Sequence, residues 1–133
     1  MKITFLGGGN MANAMIGGLR KQGYSAAGIQ VVEPVEALRE NLTNAYGVRC
    51  TDHIDQASMN CEVWVLAIKP QQLREAIVPL RDGLFDLSVC HYVLEHVTAL
   101  AGCCDELARV TKPGGTLYLS VPRAASSSEI SRL

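Results

Sequence analysis

Residues 7–12 read Gly-Gly-Gly-Asn-Met-Ala and close a short apolar run, KITFLG (2–7). The spacing fits G-x-G-x-x-A through Gly7, Gly9 and Ala12. Each position has its own physical demand. Gly7 permits a tight turn after a strand. Gly9 omits the Cβ that would hold a pyrophosphate away from the backbone. Ala12 lets the following helix pack close to the sheet. The free N–H groups and partial positive charge at that helix's start attract phosphate. An acid, Glu33, ends the next apolar run, where it can accept hydrogen bonds from the hydroxyls of an adenosine ribose. A carboxylate there suits a free diol and repels a 2′-phosphate, which favours NAD over NADP. Arg39, one helical turn further on, softens that discrimination.

Other chemistry-bearing residues offer less. His91, Glu95 and His96 lie close together, but no nucleophile–base pairing can be read from them. Glu95 and His96 fall at a strand-to-helix connection, where polar side chains satisfy loop backbone. The five cysteines, Cys50, Cys61, Cys90, Cys103 and Cys104, are odd in number and show no C-x-x-C spacing. They read as reduced thiols, not as a disulfide framework or zinc site. Cys103 and Cys104 lie on the apolar face of a predicted helix, as small buried hydrophobes.

The elements that must position the glycine loop alternate between strand and helix. After KITFLG, the residues Met11, Met15, Ile16 and Leu19 follow at helical spacing, and Gly23 stops that helix. IQVVE (29–33) is the second strand. Pro34 is placed at the first position of the next helix, where its missing N–H costs nothing; Leu38, Leu42 and Ala45 carry that helix to Gly47. GVRCT (47–51) is a short third strand, and residues 52–60 a short helix or turn. EVWVLAI (62–68) is almost continuously apolar, as a strand buried on both faces should be. Pro70 opens another helix, with Leu73, Ile77 and Leu80 on its apolar face. FDLSVC (85–90) is the fifth strand and TLYLSV (116–121) the sixth, with a helix through Leu100, Leu107 and Val110 between them. KPGG (112–115) ends that helix in a turn. The tail RAASSSEISRL is Ser-rich and is expected to be frayed. Alternation of this kind implies an α/β, doubly wound, Rossmann-like fold: a parallel sheet of six strands in the order 3-2-1-4-5-6 with right-handed crossovers.

Bulk composition narrows the function classes. The chain has 133 residues, 48% hydrophobic and 19% charged, with a net charge of −1. One globular domain is expected. A pI near 6.3 leaves no basic footprint for nucleic acid or an anionic membrane surface. The apolar runs are strand-sized, so none spans a bilayer. No signal-peptide pattern opens the chain, and a cytoplasmic location is expected.

Two resemblances divide the sequence. Through FLGGGNMANAMIGGL (5–19) and VWVLAIKPQQL (63–73), residues 1–81 resemble the N-terminal dinucleotide-binding domain of pyrroline-5-carboxylate reductase. That resemblance implies that Gly7, Gly9, Asn10 and Met11 hold a pyrophosphate. It also implies that Ala67, Lys69 and Pro70 border the nicotinamide end. The family's second, helical domain forms its dimer and most of its imino-acid site. Nothing after Arg81 resembles it, so proline-forming reduction is not expected. Through DGLFDLSVCHYVLEHV (82–97) and ELARVTKPGGTLYLSVP (106–122), the later part is similar to class I S-adenosylmethionine-dependent methyltransferases. Their G-x-G-x-G loop is unmatched, because Met11 stands where the last glycine would be.

Each resemblance supplies a claimant to the place beside strand one. Chain order gives it to EVWVLAI, with FDLSVC one strand further out, by about 4.8 Å. A pocket for S-adenosylmethionine is then misassembled, while a dinucleotide keeps its contacts. The expectation is therefore a chimera, engineered or fused, joined near Arg81-Asp82, with a single domain over 1–122 and a flexible tail over 123–133. It should bind NAD or NADP at Gly7, Gly9, Asn10, Met11, Ala12, Glu33, Ala67, Lys69 and Pro70, with little or no catalysis. The alternatives are S-adenosylmethionine binding, or a folded scaffold with no ligand. The expected partner is the small-molecule cofactor, and the protein is expected to be a monomer or a weak homodimer through an exposed strand-six edge.

Overall fold

The computed structural model describes residues 1–68, 76–91, 105–121 and 127–132. Among the described residues the sheet has seven strands: β1 (Ile3–Leu6), β2 (Ile29–Val32), β3 (Arg49–Thr51), β4 (Val63–Leu66), β5 (Phe85–His91), β6 (Thr111–Val121) and β7 (Ser127–Arg132). Their order is 3-2-1-4-5-6-7. The first six are parallel, in the order that the alternation predicts. β4 pairs with β1 in the register Ile3 to Val63, and β5 pairs with β4, not with β1. The contest for the place beside strand one is thus won by EVWVLAI. It is the more uniformly apolar of the two segments, and Val63 to Leu66 are all buried.

β7 departs from the sequence reading. Residues 127–132 were expected to be frayed, but they pair antiparallel with β6 from Val121–Ser127 to Thr116–Arg132. The edge of β6 that was expected to be open to a second copy is occupied by this strand. A Ser-rich segment carries no apolar periodicity, so the backbone ladder that recruits it leaves no pattern to read.

Three helices are described in full: α1 (Asn10–Lys21), α2 (Glu36–Tyr46) and the short α3 (Gln56–Met59). α1 buries Ala12 and Ile16 and ends where Gly23 takes φ +89°. The Tyr24 N–H then reaches back to the Leu19 carbonyl, closing the last turn. α2 begins with Val35 as N-cap, so Pro34 lies just outside the helix and not at its first position. α3 is held by a reciprocal Asp55–Ser58 capping box. A further helical segment covers 105–110.

Two apolar clusters sandwich the sheet. One joins α1 and α2 to Ile3, Phe5, Ile29, Val31, Val63 and Val65. The other joins Leu6, Val32, Trp64 and Leu66 to Ile77, Leu80, Leu84, Phe85, Leu107, Val110 and Leu117. Trp64 stacks on Phe85 with ring centroids 4.7 Å apart and planes within 6°. The indole Nε1–H has no acceptor among the described residues.

A bulge allows that stack. The N–H groups of Asp86 and Leu87 both donate to the Glu62 carbonyl. The extra residue breaks the alternation of β5, so Phe85 faces one cluster while Leu87 and Val89 face the other. A second irregularity lies opposite: Phe85 pairs with Thr111, but Leu87 pairs with Thr116. The predicted KPGG turn is the loop that absorbs this difference inside β6, with Gly114 at φ +80°.

Candidate functional site

The carboxyl ends of β1, β2 and β4 meet where the strand order reverses, the place where open α/β sheets bind ligands. The glycine loop crosses that edge. Gly7 donates to the Val32 carbonyl and Ala67 to the Leu6 carbonyl, so the loop is tied between β2 and β4.

The three glycines answer to different neighbours. Gly7 adopts φ +104°, and a Cβ there would lie 2.4 Å from the Ala67 carbonyl oxygen. Gly8, to which the G-x-G-x-x-A pattern assigns no role, would bring a Cβ to 3.0 Å from Leu42 Cδ1 and 3.2 Å from Glu33 Cβ. A Cβ on Gly9 would meet nothing within 4 Å. Protein packing therefore accounts for Gly7 and Gly8 and leaves Gly9 unexplained by any described atom.

Gly9 is also the N-cap of α1. It makes no side-chain cap, and the first turn carries no acid. The opening N–H groups of a twelve-residue helix thus face the space above Gly9, with no side chain of their own turn competing for them. Asn10 and Met11 form that turn, while Ala12 is fully buried against the sheet, as close helix–strand packing requires. Asn13, one turn on, accepts a 2.8 Å hydrogen bond from the Tyr46 hydroxyl and locks α1 to α2.

Glu33 sits at the predicted place but points inward. Its Oε1 accepts from Gly8 N and its Oε2 from Val35 N, each at 2.9 Å. The residue is 7% exposed. Its carboxylate braces the glycine loop against the turn that leaves β2. Just outside, Arg39 Nη1 donates to the Glu33 and Pro34 carbonyls, both at 2.8 Å. At the end of β3, exposed Asp52 pairs with His53 Nδ1 at 2.5 Å. The His53 hydrogen bond, with a smaller field from Arg39, holds the Asp52 carboxyl below its usual range. Sequence reading overlooked Asp52 and His53, since an Asp-His pair in a loop has no distinctive spacing.

The structure therefore brings together Gly7, Gly9, Asn10, Met11, Ala12, Glu33 and Ala67 at one sheet edge. Lys69 and Pro70 lie outside the described residues, as do Glu95, His96, Cys103 and Cys104. Among the described residues Cys50 and Cys61 are free thiols, and burial pushes the Cys61 thiol up. No described helix is long and apolar enough to cross a membrane. An apolar hollow of about 800 Å³ lies beside α1, lined by residues including Met15, Leu19, Val63 and Val89. None of the glycine-loop residues lines it.

Comparison with known proteins agrees with this fold. The chain is 40% identical to a pyrroline-5-carboxylate reductase of Vibrio alginolyticus over 80 residues, covering 60% of this chain and 29% of that protein. It is 32% identical to a ubiquinone biosynthesis O-methyltransferase of Methylococcus capsulatus over 87 residues, covering 64% of this chain and 37% of that protein. Among solved structures, a pyrroline-5-carboxylate reductase from Coxiella burnetii superposes with a TM-score of 0.72 at 23% identity, over 97% of this chain and 48% of that one. The chain thus spans about three tenths of the length of the Vibrio reductase. The family profile described as "NADP oxidoreductase coenzyme F420-dependent" matches residues 2–89, past Arg81-Asp82 and into β5. Strand order, glycine loop and a match over most of the chain lead to one assignment: this protein belongs to the coenzyme F420-dependent NADP oxidoreductase family.

Proposed function

We propose that the chain holds a nicotinamide dinucleotide across the carboxyl ends of β1 and β4. Gly9, Asn10 and Met11 receive the pyrophosphate. Gly7 and Ala12 shape the turn and the helix that present it, Glu33 braces the ribose end, and Ala67, Lys69 and Pro70 border the nicotinamide. The observation that carries this reading is the open space above Gly9 at the start of an uncapped helix. A glycine that no described protein atom requires, at the start of a helix without a side-chain cap, is what close approach by a phosphate calls for.

The likeness to an O-methyltransferase keeps a chimera joined near residues 81–82, and S-adenosylmethionine as ligand, as the second reading. Titration of the wild type with NADH, NADPH and S-adenosylmethionine separates the two. Binding of either nicotinamide cofactor is expected, and Gly9→Val should abolish it while costing no more stability than the ~1 kcal/mol of a poorer N-cap. An isotherm with S-adenosylmethionine alone would overturn the proposal. Silence with all three would leave a folded scaffold.

A further inference from the structure

We propose that Tyr46 is a positioning residue for the pyrophosphate end of this site: its hydroxyl, acting through Asn13, sets the start of α1 against the glycine loop. The inference rests on the dinucleotide reading above and adds to it a residue outside the glycine pattern.

A helix N-terminus receives phosphate through the direction of its N–H groups, and such hydrogen bonds weaken steeply once bent below about 120°. The helix must therefore be fixed in rotation about its axis as well as in place. Burial of Ala12 and Ile16 holds α1 down on the sheet, but apolar burial is non-directional. The flank of α1 that faces Tyr46 carries Gly17, which offers no side chain to interlock. A directional contact is what that flank needs, and Tyr46 makes it. Its hydroxyl donates to Asn13 Oδ1 at 2.8 Å, the one side-chain hydrogen bond between α1 and α2 among the described residues.

Three observations give that bond its reach. The Asn13 backbone N–H donates to the Gly9 carbonyl at 2.9 Å, which is the opening bond of the helix. The residue that Tyr46 holds is thus the one that holds the N-cap, and a path of two hydrogen bonds runs from Tyr46 to Gly9. Gly17, one turn after Asn13, gives the ring its room: a Cβ there would lie 2.9 Å from the hydroxyl oxygen and 3.4 Å from Cζ. Tyr46 is itself the last residue of α2, where the Gly47 N–H returns to the Thr43 carbonyl and closes the helix. The ring is therefore carried on a fixed helix end, partly buried, and not on a loop.

The test is a titration of the intact chain with NADH and with NADPH, repeated on Tyr46→Phe, Asn13→Ala and the double variant. Each cofactor that the wild type binds should bind Tyr46→Phe about fivefold more weakly, the scale of one net hydrogen bond. The pyrophosphate is common to both cofactors, so both should weaken alike. Asn13→Ala should weaken binding as much, and the double variant no further than either single, because each removes the same bond. Gly17→Ala displaces the hydroxyl while adding a better helix former. It should weaken binding without lowering the unfolding midpoint, which a damaged fold could not do. Unchanged affinity in Tyr46→Phe or Gly17→Ala, additive weakening in the double variant, or weakening of one cofactor where the wild type binds both would overturn the assignment and leave the dinucleotide reading standing. Failure of the wild type to bind either cofactor would overturn both.

Discussion

The two faces of the sheet are built differently. Among the described residues, every buried member of the core on the face of α1 and α2 comes from residues 3–65; beyond Arg81-Asp82, only Leu87 and Val89 reach it, and only partly buried. On the opposite face, the core mixes Leu6, Val32, Trp64 and Leu66 with Phe85, Leu107, Val110 and Leu117 from beyond Arg81-Asp82. Among the described residues, the buried part of the first face needs nothing from beyond Arg81-Asp82. The second needs Phe85, because Trp64 would otherwise lose the ring it stacks on. A change of sequence resemblance is therefore not a boundary between folding units here. Polar ties cross the same place: Arg109 donates to the carbonyls of Ile77, Val78 and Leu80 and pairs with Asp82.

The contrast between faces can be broken by truncation. Phe85→Ala removes a fully buried ring from the mixed face and should cost about 3–5 kcal/mol. Val89→Ala, on the other face, should cost about 1 kcal/mol. Urea unfolding of both variants checks this. Equal losses would mean that the two halves contribute alike to both faces, and a biphasic transition for the wild type would mean that they fold separately.

The next effect separates a glycine that the fold needs from one beside whose added Cβ no described atom lies within 4 Å. Gly7→Ala forces a Cβ onto the Ala67 carbonyl at a φ that suits glycine, and should cost about 2–4 kcal/mol. Gly9→Ala should stay within about 0.5 kcal/mol of the wild type. Thermal unfolding of the pair decides, and a Gly9→Ala loss as large as that of Gly7→Ala would assign Gly9 to the fold.

The smallest effect concerns α3, which lies on the mixed face. Arg49 and the Ser58 N–H hold the Asp55 carboxyl well below the usual carboxylate range. Its folded-state pKa is thus depressed. The stability it contributes is complete above the unfolded value, about 3.9, and is lost as the pH falls further. Urea midpoints between pH 6 and 2.5 should therefore decline less steeply for Asp55→Asn than for the wild type. Parallel profiles would remove Asp55 from the acid limb.

Much of this architecture was legible in advance. Uniformly apolar runs at β1, β2 and β4 marked central parallel strands, and Gly7, Gly9 and Ala12 between strand and helix marked the binding edge. Less legible were features that depend on a distant partner. Gly8 is required only because Leu42 and Glu33 arrive beside it. Glu33 was placed correctly at the strand's end, yet its direction depends on the N–H groups of Gly8 and Val35. Pro34 was taken for the first residue of a helix that begins two residues later.

By itself, the sequence determined the alternation of elements, the strand order and the glycine loop between β1 and α1. These follow from hydrophobic period and glycine spacing, which act over a few residues. Only the tertiary structure decided which face each residue of β5 occupies, since one bulge opposite Glu62 reverses the alternation that FDLSVC implies. It also decided that 127–132 closes the sheet by backbone pairing, which needs no side-chain pattern. And it set Glu33 as a brace of the glycine loop, because its buried carboxylate accepts the N–H groups of Gly8 and Val35.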